Sequence, residues 1–335
     1  MERSLSRSDR PSTSGVDAEG VADLVGDLRS DVEELTRFGD RKPGSAGHAQ
    51  ARTYLARRLV RLGVPTYAGE DHLVPFGPQL VNVLATIHGS DRHRRPVVLA
   101  TNYDTSVGGG ESGDNAACIA VILAVVPRLQ AALERGVIVA LLDDAAPRRH
   151  RDTATGATVL LSDQRRHDLK AAVVLDRLGR RRAAGSVPPD GTVLVTGCET
   201  DARMPSVLGG AERHDLRFAP VHRRYRGEIA LSAPFVDAGL PYLELFGPHD
   251  ADGLDTREET LDFTHLARLV PVVEALIRRL DVARLPGPFE GYDSAPFELE
   301  ALAALTDERE RPEAPHDARA RVDDAIRRFG GILAS

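Results

Sequence analysis

VVLATNYDT, at residues 97–105, is an apolar, β-branched run that ends in Asn102, Tyr103 and Asp104. Five more short apolar runs follow the same pattern, at residues 81–86, 137–142, 171–176, 192–196 and 242–245. Several of them are β-branched and do not alternate with polar residues, which is typical of strands covered on both faces. We therefore predict a sheet that is buried between two layers of helices.

Helical patterns lie before, between and after these predicted strands. Apolar residues keep helical spacing over residues 21–35 and 51–62, on either side of the break RKPGSAG, and again over residues 116–133 and 257–280. The order predicts an α/β fold with a mixed, mostly parallel central sheet and helices on both faces. Ligands of such sheets bind beyond the carboxyl ends of the strands, so the residues that follow each strand are the candidates for chemistry.

Composition excludes several classes of protein. The formal net charge of −7 argues against a nucleic-acid partner, because nucleic-acid binders carry a basic excess. No apolar run is long enough to span a membrane. Residues 1–15 are polar and lack the apolar core of a secretory signal, so we predict a disordered tail and a cytoplasmic protein, in which Cys118 and Cys198 are buried thiols.

The C-terminal part of the sequence differs from the rest. A linker-like stretch, PGPFEGYDSAP, follows Leu285, and helical patterns return at residues 297–305 and 322–329. We predict an α/β domain at residues 16–285 and a linker with a helical appendage at residues 286–335. The appendage either packs on its own domain or presents an apolar face to a protein partner through residues 290–335.

Nine segments occur in an order and spacing that resemble the landmarks of the zinc aminopeptidases and glutaminyl cyclases, which share the bacterial leucyl aminopeptidase-like fold. They are RKPGSAG, LVNVLATIHG, VVLATNYDT, SGDNAACIAVIL, VIVALLDDAAP, TGATVLLSD, VVLDRLG, APFVDAGLP and LDTREETLD. Together they cover residues 41 to about 280. The resemblance implies a cavity at the strand ends that handles a free amine.

The resemblance also implies zinc ligands, and the chain departs from that pattern at several of them. The family's first ligand is a histidine, where this chain has Asn102; Asp104 matches the aspartate that orients that histidine. The glutamate pair that supplies a general base and a ligand falls on Ala145 and Ala146. In one alternative, a bulge brings Asp143 or Asp144 into that role.

Other implied positions are retained or displaced. Asp114, followed by Asn115, matches the family's metal-bridging aspartate, and Asp176 matches an aspartate that is a ligand in two-metal members and a catalytic acid in the cyclases. The last histidine ligand falls on Ala251, with His249 two residues away. The serine, aspartate and histidine that precede APF are replaced by residues 230–232, which read ALS.

A catalytic zinc needs three suitable protein ligands and an open position, and the surviving set falls short. We therefore predict no metal and no other cofactor. In the geometry that the resemblance implies, Asp104, Asp114 and Asp176 enter one cavity, where their mutual repulsion favours a raised pKa or a positively charged ligand. The predicted catalytic residues are Asp114, Asp176 and Asp104, and the predicted substrate-binding residues are Asn102, Asn115, Glu111 and His249.

Two classes of function follow from these residues. The first is a repurposed, metal-independent enzyme that acts on an amine-bearing small molecule, free or carrier-tethered, by intramolecular cyclisation to an aziridine or a lactam in secondary metabolism. The second is a noncatalytic pseudopeptidase that binds a protein, in which the aspartates are structural and Asp114 only caps the helix that begins at Asn115. A further alternative is a zinc-dependent aminopeptidase or glutaminyl cyclase.

Overall fold

The fold is taken from a computed structural model, which describes residues 18–105, 112–131, 133–143, 155–163, 169–180, 191–210, 216–223, 230–247, 261–288 and 320. The predicted tail at residues 1–15 and nearly all of the predicted appendage lie outside these ranges. The domain limits of residues 16 and 285 therefore stay predictions.

One eight-stranded sheet forms the centre of the molecule, in the order β1-β2-β4-β3-β5-β8-β6-β7. The strands are β1 (Leu73–Gly77), β2 (Leu80–Ile87), β3 (Val97–Asn102), β4 (Val137–Leu142), β5 (Ala171–Asp176), β6 (Thr192–Thr196), β7 (Arg217–Pro220) and β8 (Tyr242–Phe246). Strands β4, β3, β5 and β8 run parallel at its centre. Strands β1 and β2 on one side pair antiparallel with their neighbours. On the other side, β6 pairs antiparallel with β8 and parallel with β7.

Helices cover both faces of the sheet, as predicted. They are α1 (Ala18–Arg37), α2 (Ala46–Arg61), α3 (Ser112–Leu129), α4 (Gly156–Ser162), α5 (Met204–Gly209), α6 (Ala233–Asp237) and α7 (Phe263–Val282). The larger core lies under α1, α2, α3, α5 and α7. The smaller core lies on the opposite face, under α4 and α6.

The central strands show why their sequences do not alternate between apolar and polar residues. In β3, Val97 and Leu99 belong to the larger core, whereas Val98 and Ala100 belong to the smaller core. Successive side chains point to opposite faces of a strand, and both faces are buried here. An apolar residue is therefore favoured at every position until β3 ends at Asn102.

The six strands predicted from the sequence are all present, and the structure adds β1 and β7 at the two edges of the sheet. Both edge strands are short and contain a proline, Pro75 in β1 and Pro220 in β7. Proline cannot donate a ladder hydrogen bond, so it weakens the sequence signal of a strand and is tolerated at an edge. Among the described helices, none combines the length and apolarity needed to cross a bilayer.

Candidate active site

Asn102 and Asp176 are the last residues of two neighbouring parallel strands, β3 and β5. The register pairs Ala100 with Val174, and the same offset places Asn102 level with Asp176. Because side chains alternate along a strand, both residues project to the face that carries Ala100 and Val174. Neighbouring strands lie about 4.8 Å apart, so the two polar side chains occupy adjacent positions at the carboxyl edge.

The carboxamide of Asn102 is oriented by the chain that follows it. Its Nδ2 donates to the main-chain oxygen of Asp104 at 3.1 Å and lies 3.5 Å from the Oδ1 of Asp104. Asn115, in the first turn of α3, donates from its own Nδ2 to the same main-chain oxygen at 2.8 Å. With its nitrogen turned toward Asp104, Asn102 presents its Oδ1 on the opposite side as a hydrogen-bond acceptor.

A buried arginine lies beside Asp104. Arg41 follows α1 and has no exposed surface. Burial lowers the pKa of the Arg41 guanidinium to about 10, and the negative charges of Asp104 and Asp40 oppose that shift. Arg41 therefore remains charged at neutral pH and supplies a counter-charge to Asp104 inside the protein.

Arg41 also anchors the segment after β3. Its Nε donates to the main-chain oxygen of Tyr103 at 2.9 Å, and its main-chain nitrogen donates to Oγ1 of Thr105 at 2.9 Å. Its Nη1 donates to the main-chain oxygen of Leu35 at 3.1 Å, which links this segment to the end of α1. The direction in which Asn102 and Asp104 face thus depends on Arg41.

The second carboxylate of the site also has a guanidinium nearby. Arg177 Nε lies 3.4 Å from Oδ2 of Asp176, and only 8% of the surface of Asp176 is exposed. Arg177 has a φ of 48°, in the left-handed region, and Gly247 donates its N–H to the main-chain oxygens of both Asp176 and Arg177. The sequence predicted repulsion between the carboxylates of Asp104 and Asp176. It did not predict Arg41 and Arg177, whose positive charges offset that repulsion.

Asp143, at the end of β4, makes its contacts on the side of the larger core. Its Oδ1 lies 2.9 Å from Nε2 of His48, and its Oδ2 accepts hydrogen bonds from Val81 N at 2.7 Å and from Tyr103 Oη at 3.1 Å. These contacts hold the fully buried carboxylate of Asp143 beside α2 and Tyr103. Tyr103 belongs to the larger core. Asn102 and Asp176 project to the other face, so these contacts do not favour the alternative that made Asp143 a base, and Asp144, which that alternative also named, lies outside the described residues.

The remaining predicted residues divide into two groups. Glu111, His249, Asp144, Ala145 and Ala146 lie outside the described residues, as does the side chain of Asp114. Of the others, the structure joins Asn102, Asp104 and Asn115 directly and places Asp176 next to them by register.

The start of α3 also changes the interpretation of Asp114. The helix begins at Ser112, so the main chain of Asp114 lies in its first turn. The prediction that Asp114 caps a helix beginning at Asn115 is therefore wrong. A carboxylate in the first turn still interacts favourably with the helix dipole, but it is not the N-cap.

A buried glutamate behind the site was not predicted from the sequence. Glu244 of β8 pairs in register with Val174, and its Oε2 accepts hydrogen bonds from Ser232 Oγ at 2.7 Å and from Thr196 Oγ1 at 3.1 Å. It has no exposed surface. The signal was available in the sequence YLELF, where one glutamate interrupts an apolar strand.

The described residues of the site include no imidazole or thiolate, the donors that most zinc centres contain. The strand ends of the site offer one carboxamide and two carboxylates that face guanidinium groups, whereas zinc sites are built from imidazole, thiolate and carboxylate ligands. Among the described residues, no group of three or more His, Cys, Asp or Glu side chains is arranged to hold a metal ion.

Comparison with known proteins shows similarity to solved structures. No family model matches the sequence. No curated protein matches it either. LapB from Legionella pneumophila has a similar structure, with a TM-score of 0.63 and 15% identity over 82% of this chain and 77% of that one.

Two further structures are similar over nearly their whole length. A Zn-dependent exopeptidase from Parabacteroides distasonis has a TM-score of 0.56 at 15% identity, covering 76% of this chain and 97% of that one. The glutaminyl cyclase of Porphyromonas gingivalis has a TM-score of 0.55 at 16% identity, covering 76% of this chain and 98% of that one. The chain therefore has an α/β fold of the kind found in zinc-dependent exopeptidases and glutaminyl cyclases.

Proposed function

We propose that this protein is a repurposed, metal-independent enzyme that closes a small nitrogen ring by intramolecular attack of a substrate amine. The main support for the proposal is a pair of hydrogen-bond acceptors at the carboxyl ends of β3 and β5. The register places these two strand ends at the same height in the sheet. Asn102 offers a carboxamide oxygen and Asp176 offers a carboxylate, on the same face of the sheet. Two acceptors at adjacent positions suit the N–H donors of an ammonium or amine group.

The sequence supports metal independence. The positions that match a histidine ligand and a glutamate pair in the zinc enzymes hold Asn102, Ala145 and Ala146. Hydrolysis by a zinc enzyme needs an activated water and a base at those positions. Intramolecular attack by an amine needs a proton acceptor and a fixed geometry instead, so the loss of zinc is tolerable for this reaction.

The proposed reaction forms one bond and breaks one bond. The substrate amine attacks a carbon two atoms away that carries a sulfate or phosphate ester. The N–C bond forms, the C–O bond breaks with its electron pair, and the ester departs as an inorganic anion. The proton released from nitrogen passes to the carboxylate of Asp176, with Asp114 as the alternative acceptor.

Each described residue has one role in this reaction. Asn102 Oδ1 accepts a hydrogen bond from the amine, and Asp104, with its counter-charge Arg41, keeps the carboxamide in that orientation. Arg177, beside Asp176, stabilises the departing anion. Asn115 holds the main chain of Asp104, while Glu111 and His249 stay predicted substrate contacts. Closure to a lactam on an activated acyl group uses the same residues.

A noncatalytic function is the second candidate. It is favoured by the guanidinium groups near the two described carboxylates of the site, Arg41 near Asp104 and Arg177 at 3.4 Å from Asp176, because a charge-compensated carboxylate is also what a purely structural group requires. In that case the protein acts by binding a partner, and substitution of Asp176 leaves its biological output unchanged.

The experiment uses an O-sulfated 1,2-amino alcohol as the probe and its N-acetyl derivative as the control. Purified protein is incubated with each compound in a metal chelator, and sulfate and the cyclic amine are quantified by mass spectrometry. We expect both products from the free amine and neither from the N-acetyl compound, whose nitrogen is a poor nucleophile. Equal sulfate release from both compounds would show hydrolysis and contradict the proposal.

A further inference from the structure

A surface groove lies between α5 and the C-terminal end of α7, and the proposed cyclisation does not use it. The groove has a volume of about 400 Å³ and is lined by Arg203, Ser206, Val207, Arg279, Val282, Ala283 and Arg284. Val282 is 67% exposed, and the described residues include only one other large apolar side chain exposed to that extent, Val60. The groove therefore combines an exposed apolar surface with arginines.

Two of these arginines have no ion-pair partner among the described residues. Arg279 is engaged, since its Nε and Nη2 donate to the main-chain oxygens of Val207 and Ser206. Arg203 and Arg284 are exposed, and within the described ranges neither guanidinium forms a hydrogen bond or an ion pair. In the part of the chain that the structure describes, the groove thus presents two positive charges without an ion-pair partner beside Val282.

The C-terminal chain leaves the described structure next to this groove. Gly287 donates its N–H to Oδ2 of Asp201 at 2.6 Å, and Ala202 donates its N–H to the main-chain oxygen of Gly287 at 3.4 Å. These bonds hold the chain beside Arg203 up to Pro288, the last described residue before the C-terminal segment. Whatever follows Pro288 starts at the edge of the groove.

The segment that follows has the complementary chemistry. Residues 297–310 read FELEALAALTDERE, a helical pattern with five acidic residues and one arginine. Its apolar side chains include Leu299 and Leu302, spaced three residues apart. Residues 289–296 connect it to Pro288, and at most about 3.6 Å per residue they reach roughly 29 Å, which is ample for a groove at the exit point.

We propose that residues 297–310 dock in this groove as an acidic amphipathic helix. Its leucines cover the exposed side chain of Val282, and its acidic residues pair with Arg203 and Arg284. The short tether makes the association intramolecular and raises the effective concentration of the segment to the millimolar range. The groove is thus the binding surface of the protein's own C-terminal appendage, independently of whether the cyclisation proposal is correct.

Disulfide trapping in the full-length chain tests the docking. Val282→Cys combined with Leu302→Cys should form an intramolecular disulfide under mild oxidation, identified by peptide mapping of the monomer. The matched control is Val60→Cys with Leu302→Cys, because Val60 is equally exposed at 67% but lies on α2. Cys118 and Cys198 are buried and serve as internal unreactive thiols. Equal trapping in both variants, or trapping only between two chains, would overturn the proposal.

Charge reversal tests the role of the arginines. In the Val282→Cys, Leu302→Cys background, Arg203→Glu with Arg284→Glu should lower the trapping rate at least fivefold, and high salt should lower it in the parent. The control pair is Arg57→Glu with Arg61→Glu, two exposed arginines of α2, which should have no effect. An unchanged trapping rate in the Arg203→Glu, Arg284→Glu variant would refute the charge pairing and with it the proposal. Neither readout depends on enzymatic activity.

Discussion

Arg41 lies fully buried beside Asp104, and its guanidinium supplies the positive charge that this carboxylate needs inside the protein. Together, the two side chains and their main-chain contacts fix the orientation of Asn102 at the end of β3. The arrangement explains how a polar string can follow directly after a buried strand.

Removal of Arg41 alone should be strongly destabilising. Arg41→Met removes the hydrogen bonds to the main-chain oxygens of Tyr103 and Leu35 and the positive charge near Asp104, and each buried polar group left without its partner costs about 1–3 kcal/mol. Urea unfolding of Arg41→Met, Asp104→Asn and the double variant forms a thermodynamic cycle. We expect the double variant to be more stable than the sum of the single changes predicts. Additive changes, to within about 0.5 kcal/mol, would show that the two side chains are not coupled.

Tyr103 and Tyr242 should make the protein lose stability at alkaline pH. Burial raises the pKa of both phenols above the ordinary value, and nearby carboxylates raise it further, Asp143 for Tyr103 and Glu199 with Glu244 for Tyr242. The unfolded chain then loses these protons near pH 10 while the folded protein keeps them, so the free energy of unfolding should fall above about pH 10. Replacing either tyrosine with phenylalanine should reduce the slope, measured by urea unfolding between pH 9 and 11 as rough limits.

The same two substitutions should differ at neutral pH. Tyr103 Oη contacts Val81 O at 2.7 Å and Asp143 Oδ2 at 3.1 Å, so Tyr103→Phe should cost about 1–3 kcal/mol. Tyr242 Oη is buried without a hydrogen-bond partner in the described part of the chain, although the hydroxyls of Ser232 and Thr196 lie nearby. Tyr242→Phe should therefore be neutral or stabilising. A larger loss for Tyr242→Phe than for Tyr103→Phe would contradict this assignment.

Much of the fold could be predicted from the sequence because the central strands are buried on both faces. The limits predicted for β4, β5 and β6 agree with the structure, and β3 was predicted two residues short because its last two residues are polar. The edge strand β1 was missed because its side chains are only partly buried and it contains Pro75.

The site was less predictable, since its charges are offset by residues distant in sequence. Arg41 is separated from Asp104 by the whole of α2, β1, β2 and β3, and no local pattern links the two. Asp143 follows a strand as a catalytic residue would, yet its carboxylate faces His48 and the larger core. Asn102 and Asp176 lie side by side because of the register between β3 and β5, and a pairing register cannot be read from either strand alone.

Zinc should bind weakly or not at all. Asn102, Ala145 and Ala146 stand at positions that match a ligand or base in the zinc enzymes, so we expect less than one zinc per chain by elemental analysis after dialysis against zinc. The Asn102→His, Ala146→Glu double variant, which restores two ligand types, should bind more zinc than the wild type. One tightly held zinc per wild-type chain, with chelator-sensitive release of an amine from an aminoacyl substrate, would establish the zinc-peptidase alternative instead.

The most direct test of metal-independent cyclisation is the rate of ring closure in wild type and in Asp176→Asn, measured on the O-sulfated amino alcohol in the presence of a chelator. A positioned general base contributes about 10²–10⁴-fold to a rate, so we expect a loss of at least about 100-fold. Asp163→Asn, at the end of α4, is the matched control and should keep the wild-type rate. Chelator-resistant cyclisation that depends on Asp176 would support the proposed function. Asp176→Asn and Asp114→Asn variants that both cyclise at the wild-type rate, or a wild-type protein that forms no cyclic amine, would contradict it.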